Sequence, residues 1–195
     1  MKIFNLYSTQ DVKVEDPALK SVINLDERLV LRTTGRMKEK FERNKINIIE
    51  KLANLIAVPA HRGKKHKIIT GHASGKYTKN MKIVLEALRI IQEKTKENPI
   101  QVFVKAIENA APRDEITVIE YGGARYPQAV DVSPSRRLNI AMRNMVHGAY
   151  DKSFNKKTKI QDALANEIIL ASERNMESFA MGKKNESEKQ ADSAR

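Results

Sequence analysis

PRDEITVIEYGGARYPQAVDVSPSRRLNIAMR, Pro112 to Arg143, is the stretch whose reading decides the fold. Ile116, Val118 and Ile119 are strand formers, and so are Val130 and Val132 on the return. Gly122-Gly123 lies between the two runs, where a tight hairpin turn demands positive φ. Pro127 has no N–H to donate, so its strand cannot sit inside a wide sheet. The stretch therefore predicts a lone two-stranded ribbon over 115–132. Ser133-Pro134 then opens a helix, and two adjacent arginines, Arg136 and Arg137, follow in its first turn. Proline fixes the backbone there, and two guanidiniums beside unpaired helix N–H groups make a compact anion site.

Working outward, the remaining apolar periodicity is helical. Ile46, Ile49, Ala53 and Ile56 recur at steps of three and four and predict a first helix over about 44–57. Met81, Val84, Leu85, Leu88 and Ile91 mark a second over about 80–96. Its outer face carries Lys82, Arg89, Lys94 and Lys96. A third begins at Asn98-Pro99, with Asn98 as cap and Gln101 in the position of a capping-box partner, and Pro112 ends it. The fourth, about 134–152, buries Leu138, Ala141, Met142, Met145, Val146 and Ala149, with Arg136, Arg137 and Arg143 off that stripe. A basic loop, Lys152–Lys159, leads to a fifth over about 160–174. The expectation is a mainly α protein: a bundle of five or six helices with one protruding two-stranded β-ribbon between the third and fourth.

Residues 1–42 read as an N-terminal arm. Its apolar residues have no helical period, and Ile23, Leu25, Leu29, Val30 and Leu31 are sparse anchors suited to lying across a surface. Residues 43–182 read as the helical domain. Residues 183–195 read as a tail: GKKNESEKQADSAR shows no apolar face, so it frays or needs a partner.

Composition narrows the function. The chain has 195 residues, with 36 Lys and Arg against 24 Asp and Glu, a net charge of +12. Such an excess suits a polyanion, nucleic acid before membrane. There is no cysteine, which excludes disulfides, thiolate nucleophiles and Cys-based zinc sites. The start, MKIFNLYSTQDVKVED, lacks an apolar signal core, and no apolar run approaches the ~20 residues of a membrane span. A cytoplasmic, membrane-free protein is expected.

The charge is concentrated. From Lys51 to Leu85 there is no acidic residue, yet the stretch holds eight Lys/Arg and three of the four histidines. Unopposed cations repel one another until phosphates neutralise them. Arg62, Lys64, Lys65, Lys67, Lys76 and Lys79 are the candidate phosphate contacts of this loop. Tyr77 is placed to stack on a base. Gly71-His-Ala-Ser-Gly75-Lys76-Tyr77 is not a P-loop: the glycine spacing is one residue short, and Tyr77 stands where a magnesium-binding hydroxyl belongs. His61, His66 and His72 lack a ligand spacing and a nearby carboxylate, and the positive surroundings repel a cation. No close pair of carboxylates is set across an apolar cleft, so acid–base catalysis has no support. No cofactor, metal or catalytic residue is expected. A DNA-binding helical module and an RNA-modifying enzyme remain as alternatives. The first needs a recognition helix preceded by a second helix, where this chain has a ribbon. The second needs a cofactor or metal site, and no motif supplies one.

KAIENAAPRDEITVIEYGGARYPQAVDVSPSRRLNIAMR resembles the central segment of the small-subunit ribosomal protein seven family. The landmarks are Glu108-Asn109 and the proline after it, Gly122-Gly123, Val130-Asp131-Val132, Pro134, Arg136-Arg137, and Ala141-Met142-Arg143. Leu164-Ala165-Asn166-Glu167-Ile168 and the segment from Lys94 to Val104 match as well. The resemblance covers about 43–182. DPALKSVINL and HRGKKHKIITG are similar to the archaeal and eukaryotic branch. It implies a structural constituent of the small subunit that binds the 3′ major domain of the 16S-type ribosomal RNA and nucleates head assembly. It further implies a ribbon reaching toward the exit-site transfer RNA and the messenger path, with ribosomal protein eleven as a neighbour. By position, Arg136, Arg137 and Arg143 would contact ribosomal RNA, and Gly122, Gly123, Arg125 and Tyr126 would form the ribbon tip near transfer RNA. Lys64, Lys65 and Lys67 fall where the family carries a short basic loop. The contacts of the longer loop from His72 to Lys79 rest on charge alone.

Overall fold

The computed structural model describes residues 2–33, 39, 42–59 and 76–195. Seven α-helices and one hairpin make up these residues: α1 (Pro17–Lys20), α2 (Ile48–Ile56), α3 (Tyr77–Thr95), α4 (Pro99–Ala110), β1 (Asp114–Tyr121), β2 (Ala124–Asp131), α5 (Pro134–Ser153), α6 (Ile160–Ser172) and α7 (Phe179–Ser193), with a 3₁₀ turn over Glu42–Lys45. The body is mainly helical and the ribbon lies between α4 and α5, as the sequence predicts; the short α1 shifts the count by one.

α6 is the central helix. It packs against α3, α4 and α5, and buries Ala163, Leu164, Ala165, Ile168 and Ala171. Small residues on it let three neighbours approach closely. α4 contributes Ile100, Phe103, Val104 and Ile107, all fully buried, and α5 adds Leu138, Met142 and Met145. Asn98 caps α4 as expected, its side-chain oxygen accepting from Ile100 N–H at 3.1 Å. Gln101 does not close a capping box. Its amide instead holds the arm, accepting from Lys13 N–H (2.8 Å) and donating to Lys13 O (3.1 Å). Ser133 likewise makes no side-chain cap on α5. The first predicted helix begins later than its periodicity suggests, because Asn47 caps α2 by accepting from Ile49 N–H at 2.9 Å.

The arm is ordered by the body. Ile3, Leu19, Val22, Ile23 and Leu31 enter the core one at a time, which explains their lack of period. Extended backbone needs partners for its N–H groups, and helix side chains provide them. Glu108 accepts from Glu15 N–H and Asp16 N–H (2.7 and 3.0 Å), and Glu50 accepts from Thr33 N–H at 2.8 Å. Asn98 donates to Ser8 O at 2.9 Å. Asn98, Gln101 and Glu108 recur at three- and seven-residue steps, so α4 presents one polar stripe along which the arm lies.

Of the two expectations for the tail, it is the partner that the structure supplies, in the helical body itself. Residues 179–193 form α7. They lack an apolar face because their anchors are alanines and polar groups. Ala180 and Ala191 are fully buried; Lys184 Nζ donates to Asn109 O at 2.7 Å, and Glu188 accepts from Arg113 N–H at 3.0 Å. The helix starts on Glu167, a fully buried carboxylate that accepts from Ser178 Oγ (2.7 Å), Ala180 N–H (3.1 Å) and Lys152 Nζ (2.8 Å). Gly148 lets α5 meet this turn: a Cβ there would lie 2.7 Å from Phe179 Cβ.

Candidate nucleic-acid interface

The ribbon pairs in simple register from Asp114↔Asp131 to Tyr121↔Ala124. Eight pairs at about 3.4 Å each place its tip roughly 24 Å from its base. Gly122 (φ +58°) and Gly123 (φ +81°) form the two-residue turn, the pattern of a primed hairpin. Residues 117–128 are exposed on both faces, including Tyr121 (82%), Val118 (59%) and Tyr126 (58%). Arg125 stands 3.7 Å from Glu120, both exposed, so this pair contributes little to stability. The ribbon carries Asp114, Glu115, Glu120 and Asp131 against Arg125, a net −3. The stretch 34–85 has 13 Lys/Arg against 3 Asp/Glu and so holds ten of the twelve net positive charges.

The start of α5 is where four segments meet. Arg136 is exposed, and its Nε donates to Glu115 Oε2 of β1 at 2.5 Å. A guanidinium has five N–H donors, and this bond uses one. Arg143, two turns further along α5, is exposed. Arg137 departs from the expectation that it lies off the buried stripe: it is buried. Its Nε donates to Pro112 O at 3.1 Å, and Nη2 donates to Asp16 Oδ2 at 2.8 Å. Burial raises the Asp16 pKa, but hydrogen bonds from Arg137 and Ala18 N–H outweigh it and leave the carboxyl below its ordinary value. Asn44 Nδ2 donates to Ser135 Oγ at 2.9 Å, bringing the 3₁₀ turn to the same place.

Lys76 and Lys79 are exposed at the start of α3. Tyr77 between them is engaged internally. Its hydroxyl donates to Leu31 O, Arg32 sits 5.8 Å from its ring centroid, and burial with Glu50 nearby pushes its pKa up to about 12. Arg62, Lys64, Lys65 and Lys67, with His61, His66 and His72, lie outside the described residues.

An open cleft of about 820 Å³ runs between the arm and the ribbon base, with Asp16, Glu108, Arg113, Asp131, Arg137 and Lys184 on its walls. Both signs of charge line it, and burial lowers the Lys184 pKa. Among the described residues no group of three metal-ligating side chains occurs, and no helix is long and apolar enough to cross a membrane. The basic loop after α5 is visible in the sequence, but Phe154 within it has no apolar period to mark it. An aromatic among lysines was the available signal.

A helical body, a projecting ribbon and exposed arginines along α5 define the class: a basic, mainly helical protein with a β-ribbon standing clear of its core. Residues 22–195 match the family described as Ribosomal protein S7p/S5e. Over the whole chain, the sequence is 50% identical to the small ribosomal subunit protein uS7 of Nanoarchaeum equitans, covering 99% of that protein. It is 46% identical to the uS7 of Methanococcus maripaludis, again over 100% of this chain and 99% of the relative. The uS7 of Methanothermobacter thermautotrophicus is 44% identical over 98% of each. The chain belongs to the Ribosomal protein S7p/S5e family. It is a small-subunit ribosomal protein of archaeal type, and its place is the ribosome in the cytoplasm. The family is one of ribosomal structural proteins, not of enzymes.

Proposed function

We propose that this protein binds the 3′ major domain of small-subunit ribosomal RNA, nucleates assembly of the head, and catalyses no reaction. The carrying observation is the separation of charge. Ten of the twelve net positive charges lie in one stretch, and α5 adds exposed Arg136 in its first turn and Arg143 two turns on. Phosphate contacts from Arg136, Arg143, Lys76, Lys79 and the basic loop with Arg62, Lys64, Lys65 and Lys67 supply affinity. The shape of the RNA junction supplies specificity. Arg137 serves from inside, holding the arm and Pro112 to α5 so that its neighbours keep one geometry.

The ribbon reaches toward the exit-site transfer RNA and the messenger path, and ribosomal protein eleven is a neighbour of the protein. Its net charge is negative, so its RNA contacts run through Tyr121, Tyr126 and the turn at Gly122-Gly123, not through phosphate neutralisation.

The test is a titration against a 3′ major domain transcript with duplex DNA as competitor. Tight binding that survives excess DNA is expected. Arg136→Ala should lower the slope of log K against log salt by about 1, one phosphate contact. Binding that DNA displaces as readily as RNA would overturn the reading.

A further inference from the structure

α5 ends on an exposed aromatic ring set in lysines. Phe154 is the C-cap, its N–H donating to Tyr150 O at 2.8 Å. Asn155 turns the chain away with a left-handed φ of +54°, and Lys156 N–H returns to Ser153 O at 3.2 Å. The ring is therefore held in place instead of trailing in a loop. It stacks on Tyr150 with centroids 5.2 Å apart and planes 29° from parallel. Tyr150 is buried, whereas Phe154 is 49% exposed. Beside it lie Lys156, Lys157 and Lys159, all exposed, and the segment 152–161 contains no acid. Lys152 is drawn inward to Glu167, and Lys156 Nζ donates to Asp151 O at 3.1 Å. Counting at 100° per residue, Arg136, Arg143 and Phe154 stand nearly on one line of α5, separated by about 10 and 16 Å along its axis.

An exposed apolar ring costs solvation unless something covers it. Surrounding lysines repel a cationic partner and attract a polyanion. A partner that is anionic and also has flat π faces is single-stranded nucleic acid. We propose that Phe154, with Lys156, Lys157 and Lys159, forms a stacking site for an unpaired base of RNA. This rests on the RNA-binding reading above and adds a residue at the far end of the arginine helix, away from the ribbon. The base lies on the free face of Phe154, Tyr150 backs the other, and the lysines take the flanking phosphates.

The chain contains no tryptophan, so Phe154→Trp places a single indole fluorophore at the site. The full-length protein is titrated with an oligoadenylate of about 12 nucleotides and, at the same salt, with an RNA duplex that offers no unpaired base. Saturable quenching of the indole fluorescence by the oligoadenylate is expected. Phe154→Leu keeps apolar bulk without a π face. It should weaken oligoadenylate binding roughly 5- to 100-fold, leaving the duplex affinity and the salt slope unchanged. Lys157→Ala with Lys159→Ala should lower that slope by about 1.4, two single-strand contacts. Unchanged fluorescence at saturation, or a Leu variant that binds like the parent, would overturn the stacking site while binding to the 3′ major domain still stands. A Leu variant weakened equally toward both RNAs would overturn it too, as would one that binds normally but loses a neighbouring protein in reconstituted subunits. Failure of the parent to bind any of the three RNAs would overturn the RNA-binding reading itself.

Discussion

The arm and the ribbon are both largely extended, and both lie outside the helical bundle, yet they are built on opposite terms. The arm satisfies its backbone through side chains of other elements: Gln101, Glu108 and Glu50 take its N–H groups, and the core takes Ile3, Leu19 and Leu31. The ribbon satisfies its backbone with itself, and residues 117–128 touch little else. An element whose hydrogen bonds are internal can project into its surroundings; one whose hydrogen bonds are borrowed must stay where the lender is. The arm is accordingly part of the core's stability, and the ribbon is available for contact.

Substitutions should separate the two. Leu19→Ala opens a cavity under the arm and should destabilise the whole protein by about 2–5 kcal/mol. Tyr121→Ala at the ribbon tip should stay within about 0.5 kcal/mol. Equal midpoints for both variants in urea unfolding would erase the distinction. Arg137→Ala comes next. It leaves Pro112 O and Asp16 without their shared donor and should cost about 1–3 kcal/mol, with faster limited proteolysis in the arm and protection of the ribbon unchanged. Gly122→Val forces a β-branched side chain to φ +58° and should cost about 1–3 kcal/mol, confined to the ribbon. Amide exchange across β1–β2 should quicken while exchange in α6 does not.

The smallest effect is the pH dependence of the latch. Asp16 has a lowered pKa in the fold, so its contribution is present above the ordinary value of 3.8 and is lost as pH falls through the folded value beneath it. Asp16→Asn keeps the N-cap of α1 but removes the charge. The melting difference between parent and variant should therefore hold above the ordinary value of 3.8 and narrow as pH falls below it. A constant difference would remove Asp16 as the titrating partner of Arg137.

The opening stretch was legible because its signals are local. Gly122-Gly123 demands a tight turn, Pro127 excludes a wide sheet, and Pro134 starts a helix whatever surrounds it. The six longest helices are another matter: five announced themselves by apolar period, and α7 did not. Its anchors are Ala180, Ala191 and polar groups that meet Glu167, Asn109 and Arg113 only after folding. The two arginines of α5 show the same limit within one turn. Adjacent in sequence and alike in chemistry, Arg136 faces solvent and Arg137 is buried against Asp16, 121 residues away. Phe154 is illegible for the converse reason: a single aromatic in a lysine loop has no period, and its setting depends on Tyr150 behind it.

Backbone chemistry and apolar spacing by themselves determined five of the helices, the ribbon and the uneven charge, because those depend on near neighbours in the chain. Tertiary structure alone decided which cations are free. A buried guanidinium must have partners, and Pro112 and Asp16 become available to Arg137 only when the arm crosses the base of the ribbon.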